Sequence, residues 1–149
     1  MNIERYEYRV RPDYFDFEFI STGPKGSIKK IARFTLIKSN SIPFYNLSFG
    51  DWNEIKVAID DENVTNNNDT EKVLATVAAI VIDFSNHFPD AIIYAEGSTL
   101  ARTRRYQMGI AKFWNEIKLI FKVFGIKSDG SMEPYRKNVN YIAFWAQRI

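Results

Sequence analysis

The chain has 149 residues, 46% hydrophobic, 15% aromatic and 26% charged, with a formal net charge of +2. That balance excludes a disordered chain and suits one domain spanning residues 1–149, large enough to bury roughly 70% of the surface its unfolded chain exposes. Having no cysteine excludes a disulfide scaffold, a thiol nucleophile and a Cys-based zinc site, and the lone His87 excludes a two-histidine mechanism.

The first half reads as strands. Tyr6, Tyr8 and Val10 alternate with Glu7, Arg9 and Arg11, and Phe15, Phe17 and Phe19 alternate with Asp16 and Glu18. A period of two with aromatics on one side marks half-buried strands. Ser21 to Gly26 is dense in turn formers and predicts a hairpin loop. Alternation resumes over Ile28 to Ile37, with Ala32, Phe34 and Leu36 on one face, and again at Tyr45, Leu47 and Phe49. Gly50-Asp51 predicts a turn, followed by a short strand through Ile55, Val57 and Ile59. Together these make an antiparallel meander.

A polar loop over residues 60–69 precedes a helix capped by Asn68 or Asp69, with Glu71 in its first turn, where the helix dipole favours an acid. Val73, Val77, Val81, Phe84 and Phe88 follow its three- and four-residue spacing, and Phe88-Pro89 ends it. Ala91 to Ala95 predicts a short strand, Glu96 to Thr99 a tight turn, and Thr99 a helix cap. In the second helix Leu100, Thr103, Tyr106, Ile110, Trp114 and Ile117 fall on one side, with Arg105, Gly109, Lys112 and Glu116 opposite. That helix can end near Phe113, since Lys118 to Ile126 also reads as a strand. Asp129-Gly130 signals a hairpin, and Tyr141 to Trp145 a last strand. The fold class is α+β, a mostly antiparallel sheet with two helices packed on one face.

Searches for chemistry are mostly negative. There is no Gly-rich nucleotide loop, no Gly-x-Ser-x-Gly elbow and no His-Glu-x-x-His. Gly23-Pro24-Lys25-Gly26 has a spacing used by some RNA-binding loops, but it joins two strands here and reads as a plain turn. His87 near a helix C-terminus reads as a structural residue favoured by the dipole. Asp60, Asp61, Glu62 and Asp69 lack the spacing and central glycine of an EF-hand, so they read as a solvated acidic loop. No metal and no cofactor is expected. The N-terminus lacks the apolar run of a signal peptide, and the longest apolar run, Val77 to Ile82, is far short of the ~18–20 residues of a membrane helix. A cytoplasmic location, off the membrane, is expected; the sequons at Asn46 and Asn63 then carry no weight.

Gly97-Ser98-Thr99 opens a helix whose first turns carry Arg102, Arg104 and Arg105. Helix-start N–H groups favour an anion, whereas cations there oppose the dipole, so something must offset them. One answer is pairing with Glu96, Asp90 or the acidic loop. The other is an anion site formed by Gly97, Ser98, Thr99 and Arg102, with Arg105 as a solvent-facing helper. Residues 51–71 hold seven acids against Lys56, net −6, whereas residues 97–149 hold ten bases against three acids, net +7. Such asymmetry can steer a polyanion to the C-terminal half, or be neutralised within the fold or between subunits.

Residues 69–79 (DTEKVLATVAA) and 89–110 (PDAIIYAEGSTLARTRRYQMGI), with Phe49-Gly50-Asp51 and Asn140-Tyr141, resemble a family of small domain-of-unknown-function proteins from Bacteroidota-type bacteria. The resemblance implies a lineage and a single-domain size, and no chemistry. Its members often carry proline where Leu100 stands, a departure that leaves Thr99 as the cap. The leading expectation is a binding module for an anionic ligand, nucleic acid or nucleotide. The alternatives are a small nuclease or hydrolase, or toxin–antitoxin component, using arginine, Tyr106 and Glu96, and an oligomeric interaction module, with a homodimer as the assembly.

Overall fold

In the computed structural model, which describes residues 4–39, 41–60, 65–97 and 99–149 (only the backbone at 38–39), the alternating segments pair as a meander. The strands are β1 (Arg9–Val10), β2 (Asp16–Gly23), β3 (Gly26–Ser39), β4 (Pro43–Asn53) and β5 (Ala58–Ile59). Helix α1 (Thr70–His87), strand β6 (Ile92–Ala95), helices α2 (Leu100–Lys112) and α3 (Trp114–Ile120), and strands β7 (Phe121–Ile126), β8 (Met132–Pro134) and β9 (Ala143–Arg148) follow. The sheet order is β1-β2-β3-β4-β6-β9-β7-β8, with β5 paired to β4 off that path. Among the described pairs only β4 and β6 are parallel. Their parallel run requires a crossover, and α1 lies within it.

The register places Phe17, Ala32, Phe34, Leu47, Ala95 and Phe144 on one sheet face. Both hydrophobic clusters form on that face. In the first, Val73, Val77, Ile80 and Phe84 of α1 pack on β2, β3, β4 and β6. In the second, Tyr106, Ile110, Trp114 and Ile117 pack on β7 and β9. Burial of these stripes supplies the main driving force for placing the helices there.

The structure corrects several sequence expectations. The described helices number three, because the chain leaves α-geometry at the buried Phe113, whose N–H still bonds Gly109 O at 3.1 Å. Of the first predicted strand only Arg9–Val10 pairs; Tyr6 turns inward, its N–H donating to Thr76 Oγ1 at 2.9 Å. Gly50-Asp51 is no turn, since β4 runs on to Asn53. The chain reverses instead over residues 54–57, leaving Ile55 and Val57 exposed at the tip. Leu36, beside a bulge in the β3–β4 ladder, is exposed too. Leu100 is 81% exposed, and the buried residues of α2 are Arg102 and Thr103. Asp69 occupies the cap position of α1 without capping it, its carboxylate accepting instead from Tyr6 Oη at 2.6 Å and Ser21 Oγ at 2.5 Å. Among the described residues no helix is long and apolar enough to cross a membrane.

Candidate anion-binding site

Where β6 ends, the chain enters α2 through a turn whose polar groups are largely satisfied from within. Thr99 caps the helix, its Oγ1 accepting from Arg102 N at 3.2 Å. Gly97 N donates to Thr103 Oγ1 at 3.0 Å. A Cβ on Gly97 would lie 2.3 Å from Thr103 N and 2.6 Å from Arg102 Cβ, so only glycine lets the turn press this closely on the helix. Ser98 lies outside the described residues, as do Asp61, Glu62 and Asn63.

Arg102 is 7% exposed. Its Nη1 donates to Phe49 O at 2.6 Å and its Nη2 donates to Asp60 O. Both acceptors are main-chain carbonyls beside the stretch of β4 that lies between its pairing with β6 and its pairing with β5. Gly50 makes room there, since its Cβ would lie 2.8 Å from Arg102 Nη1. The guanidinium thus serves the strand edge as a neighbouring strand would. Arg104 is exposed. Gly97 and Arg102 also line an outer groove of about 390 Å³ with Asn46, Ser48, Phe49, Glu96 and Tyr106. Glu96 places a carboxylate there, which accepts from Tyr94 Oη at 2.9 Å. Burial and that carboxylate push the Tyr94 phenol up to about 12.

Arg105 contradicts its expected solvent-facing role. It is half-buried and lines a second cavity, of about 140 Å³, between α1, α2 and the sheet. Val73, Leu74, Val77, Ala78, Ile93 and Ala95 contribute to an apolar wall, and Lys30, Asp51, Arg102 and Arg105 bring charge to it. Lys30 is 2% exposed and donates to Asp51 Oδ1 at 2.5 Å. Arg105 makes no hydrogen bond or ion pair with any described residue. Burial draws its pKa down, Asp51 and Asp69 oppose that change, and Arg102 adds to it. Phe49, Arg102 and Tyr106 line both groove and cavity, so they form the wall between them.

Lys30 and Asp51 escaped the sequence reading, although a signal existed. Lys30 holds the inward phase of β3 with Ala32 and Phe34, Asp51 that of β4 with Leu47 and Phe49, and the two face each other across the ladder. A lysine and an aspartate at apolar positions of adjacent strands mark a buried pair.

The other sequence candidates lie elsewhere. His87 is exposed and stacks on Tyr14 at 4.0 Å between ring centres. Tyr14 and Tyr8 both donate to Asp83, at 3.3 and 2.6 Å. Burial and Asp83 raise the Tyr8 phenol far above its usual value, so it is a poor acid. Among the described residues no group of three His, Cys, Asp or Glu side chains is arranged to hold a metal ion.

The fold is thus a helix-covered, mostly antiparallel sheet with an apolar cavity that carries charge on its wall. The chain belongs to a family of unknown function, DUF6934, whose family model matches residues 2–149. Comparison with curated proteins and with solved structures returns no match.

Proposed function

We propose that the protein is a binding module for a small anionic ligand, held in the cavity between the helices and the sheet with Arg105 as its anchor. The observation that carries this reading is the half-buried Arg105 guanidinium, which has no hydrogen-bond acceptor among the described residues and lines an apolar cavity. Partly desolvating a cation without an acceptor is costly, and a bound carboxylate or phosphate would supply the missing charge-assisted bonds. Lys30 is already matched by Asp51. Arg102 serves the β4 edge, so it shapes the wall of the site.

The test separates ligand binding from stability. Arg105→Gln should abolish the rise in melting temperature that small anions give the wild type. Its unliganded stability should stay within about 1 kcal/mol of wild type, because no described partner is lost. Equal anion-induced stabilisation of variant and wild type would remove Arg105 from the site. Single-stranded oligonucleotides at low and moderate salt belong in the same series, since a polyanion bound through the basic C-terminal half would show steep salt dependence.

A further inference from the structure

Resting on that reading, we infer that the ligand is a compact amphipathic monoanion, an aliphatic or aromatic carboxylate with about six to eight carbons, its apolar body in the cavity and its carboxylate on Arg105. Size is the first ground. The cavity is about 140 Å³, close to the ~150 Å³ apolar cavity that holds one benzene ring. A base, ribose and phosphate together exceed that space.

Lining is the second ground. Val73, Leu74, Val77 and Ala78 of α1 and Ile93 and Ala95 of β6 offer hydrocarbon. A ribose or nucleobase buried there would leave polar atoms unpartnered, whereas an alkyl chain or phenyl ring would not.

Charge is the third ground. Lys30 and Asp51 neutralise each other at 2.5 Å, and Arg102 is bound to two main-chain carbonyls. Asp51 and Asp69 both act electrostatically on Arg105. One negative charge balances this guanidinium. A phosphate dianion would carry a second charge that this one guanidinium does not balance, and Asp69 would repel it.

The fourth ground is independent of charge. Gly109 lies inside α2 and lines the cavity. A Cβ there would meet only Leu74 Cδ2, at 3.4 Å, and the backbone has no positive φ, so neither packing nor conformation demands glycine. Alanine is the more stable choice at an interior helix position. A glycine at this place keeps volume open beside the apolar body of a ligand.

The experiment is calorimetric titration of the full chain with butanoate, hexanoate, phenylacetate, 1-hexanol, inorganic phosphate and adenosine monophosphate. Hexanoate and phenylacetate should bind with one-to-one stoichiometry. Butanoate should bind more weakly by about fourfold for each missing methylene, and hexanol at least about tenfold more weakly than hexanoate. Arg105→Gln should bring hexanoate down to the hexanol level and leave hexanol unchanged. Gly109→Leu should abolish both. If that variant does not fold, Gly109→Ala should show an unchanged or higher melting temperature together with weaker hexanoate binding. Arg105-dependent binding of phosphate or adenosine monophosphate, with none of hexanoate, overturns the ligand class and leaves the anion reading standing. Hexanol binding as tightly as hexanoate, or no binding by any anion, overturns both.

Discussion

Stacked rings fill the centre of the α1 side of the core, with tyrosine hydrogen bonds to Asp69 and Asp83 at its edge, whereas on the α2–α3 side the rings meet at an angle and hydrogen bonds from Tyr141 and Gln107 tie them in. On the first side Phe84 lies against Phe34 with ring centres 3.8 Å apart and planes 3° from parallel, and Tyr45 and Phe88 close around it. On the second, Tyr135, Tyr141 and Phe144 also make ring contacts, but Tyr141 Oη donates to Glu133 at 2.8 Å and Gln107 Nε2 donates to Val139 O at 2.6 Å. The apolar cavity draws its walls from both clusters, Val77 and Ile93 from the first and Val123 and Phe144 from the second. It therefore lies at their seam. Two well-packed halves can hold an unfilled space between them without loosening either, which is the situation a ligand pocket requires.

The largest effect should come from the stacked side. Phe84 is 0% exposed, and Phe84→Ala should lower stability by about 4 kcal/mol in urea unfolding. A loss below about 1.5 kcal/mol would mean that this side tolerates voids as the seam does, and the contrast between the regions would fail. Next comes the seam itself. Arg102→Ala leaves Phe49 O and Asp60 O without their guanidinium donors and should cost about 2–3 kcal/mol. Arg102→Lys should recover only part of this, because an ammonium lacks the planar fork that spans both carbonyls. Wild-type stability in Arg102→Ala would return Arg102 to the role of a ligand-binding cation and favour the turn at Gly97 over the inner cavity.

Much of the fold was legible because its signals are local. The period-two runs of β2, β3 and β4, the 3.6-residue stripe of α1 and the Thr99 cap each depend on neighbouring residues alone. Gly50 was misread because a glycine before an aspartate signals a turn locally, while its true reason is the side chain of Arg102, 52 positions away in sequence, pressed against it. The helical wheel separated Arg102 from Arg105 but could not say which side of α2 would face the sheet edge and which the cavity. The described contacts decide that: one arginine completes the edge of β4, and the other lines an apolar space that no local pattern reveals. The partnership of Lys30 and Asp51 was readable in principle, but only after the β3–β4 register was known.

The smallest effect separates the two clusters by pH. Glu133 receives hydrogen bonds from Arg136 Nε at 2.9 Å and from Tyr141 Oη at 2.8 Å, and Lys127 Nζ lies 2.8 Å from its other oxygen. The Arg136 bond, with those of Lys127 and Tyr141 after it, holds its carboxyl at about 2, against an ordinary value of 4.5. A depressed carboxylate pKa means that the folded state binds its proton less readily than the unfolded chain. The stabilisation is therefore fully present above pH 4.5 and is lost as the pH falls through about 2. Glu133→Gln should melt slightly below wild type at pH 6, and the gap should close between pH 4.5 and 2. The proton-linked loss should appear in a probe of the second cluster, the near-UV signal of Tyr135 and Tyr141. A gap that stays constant down to pH 2 would show that the glutamate acts through packing alone, and that the second cluster is held, like the first, by its rings.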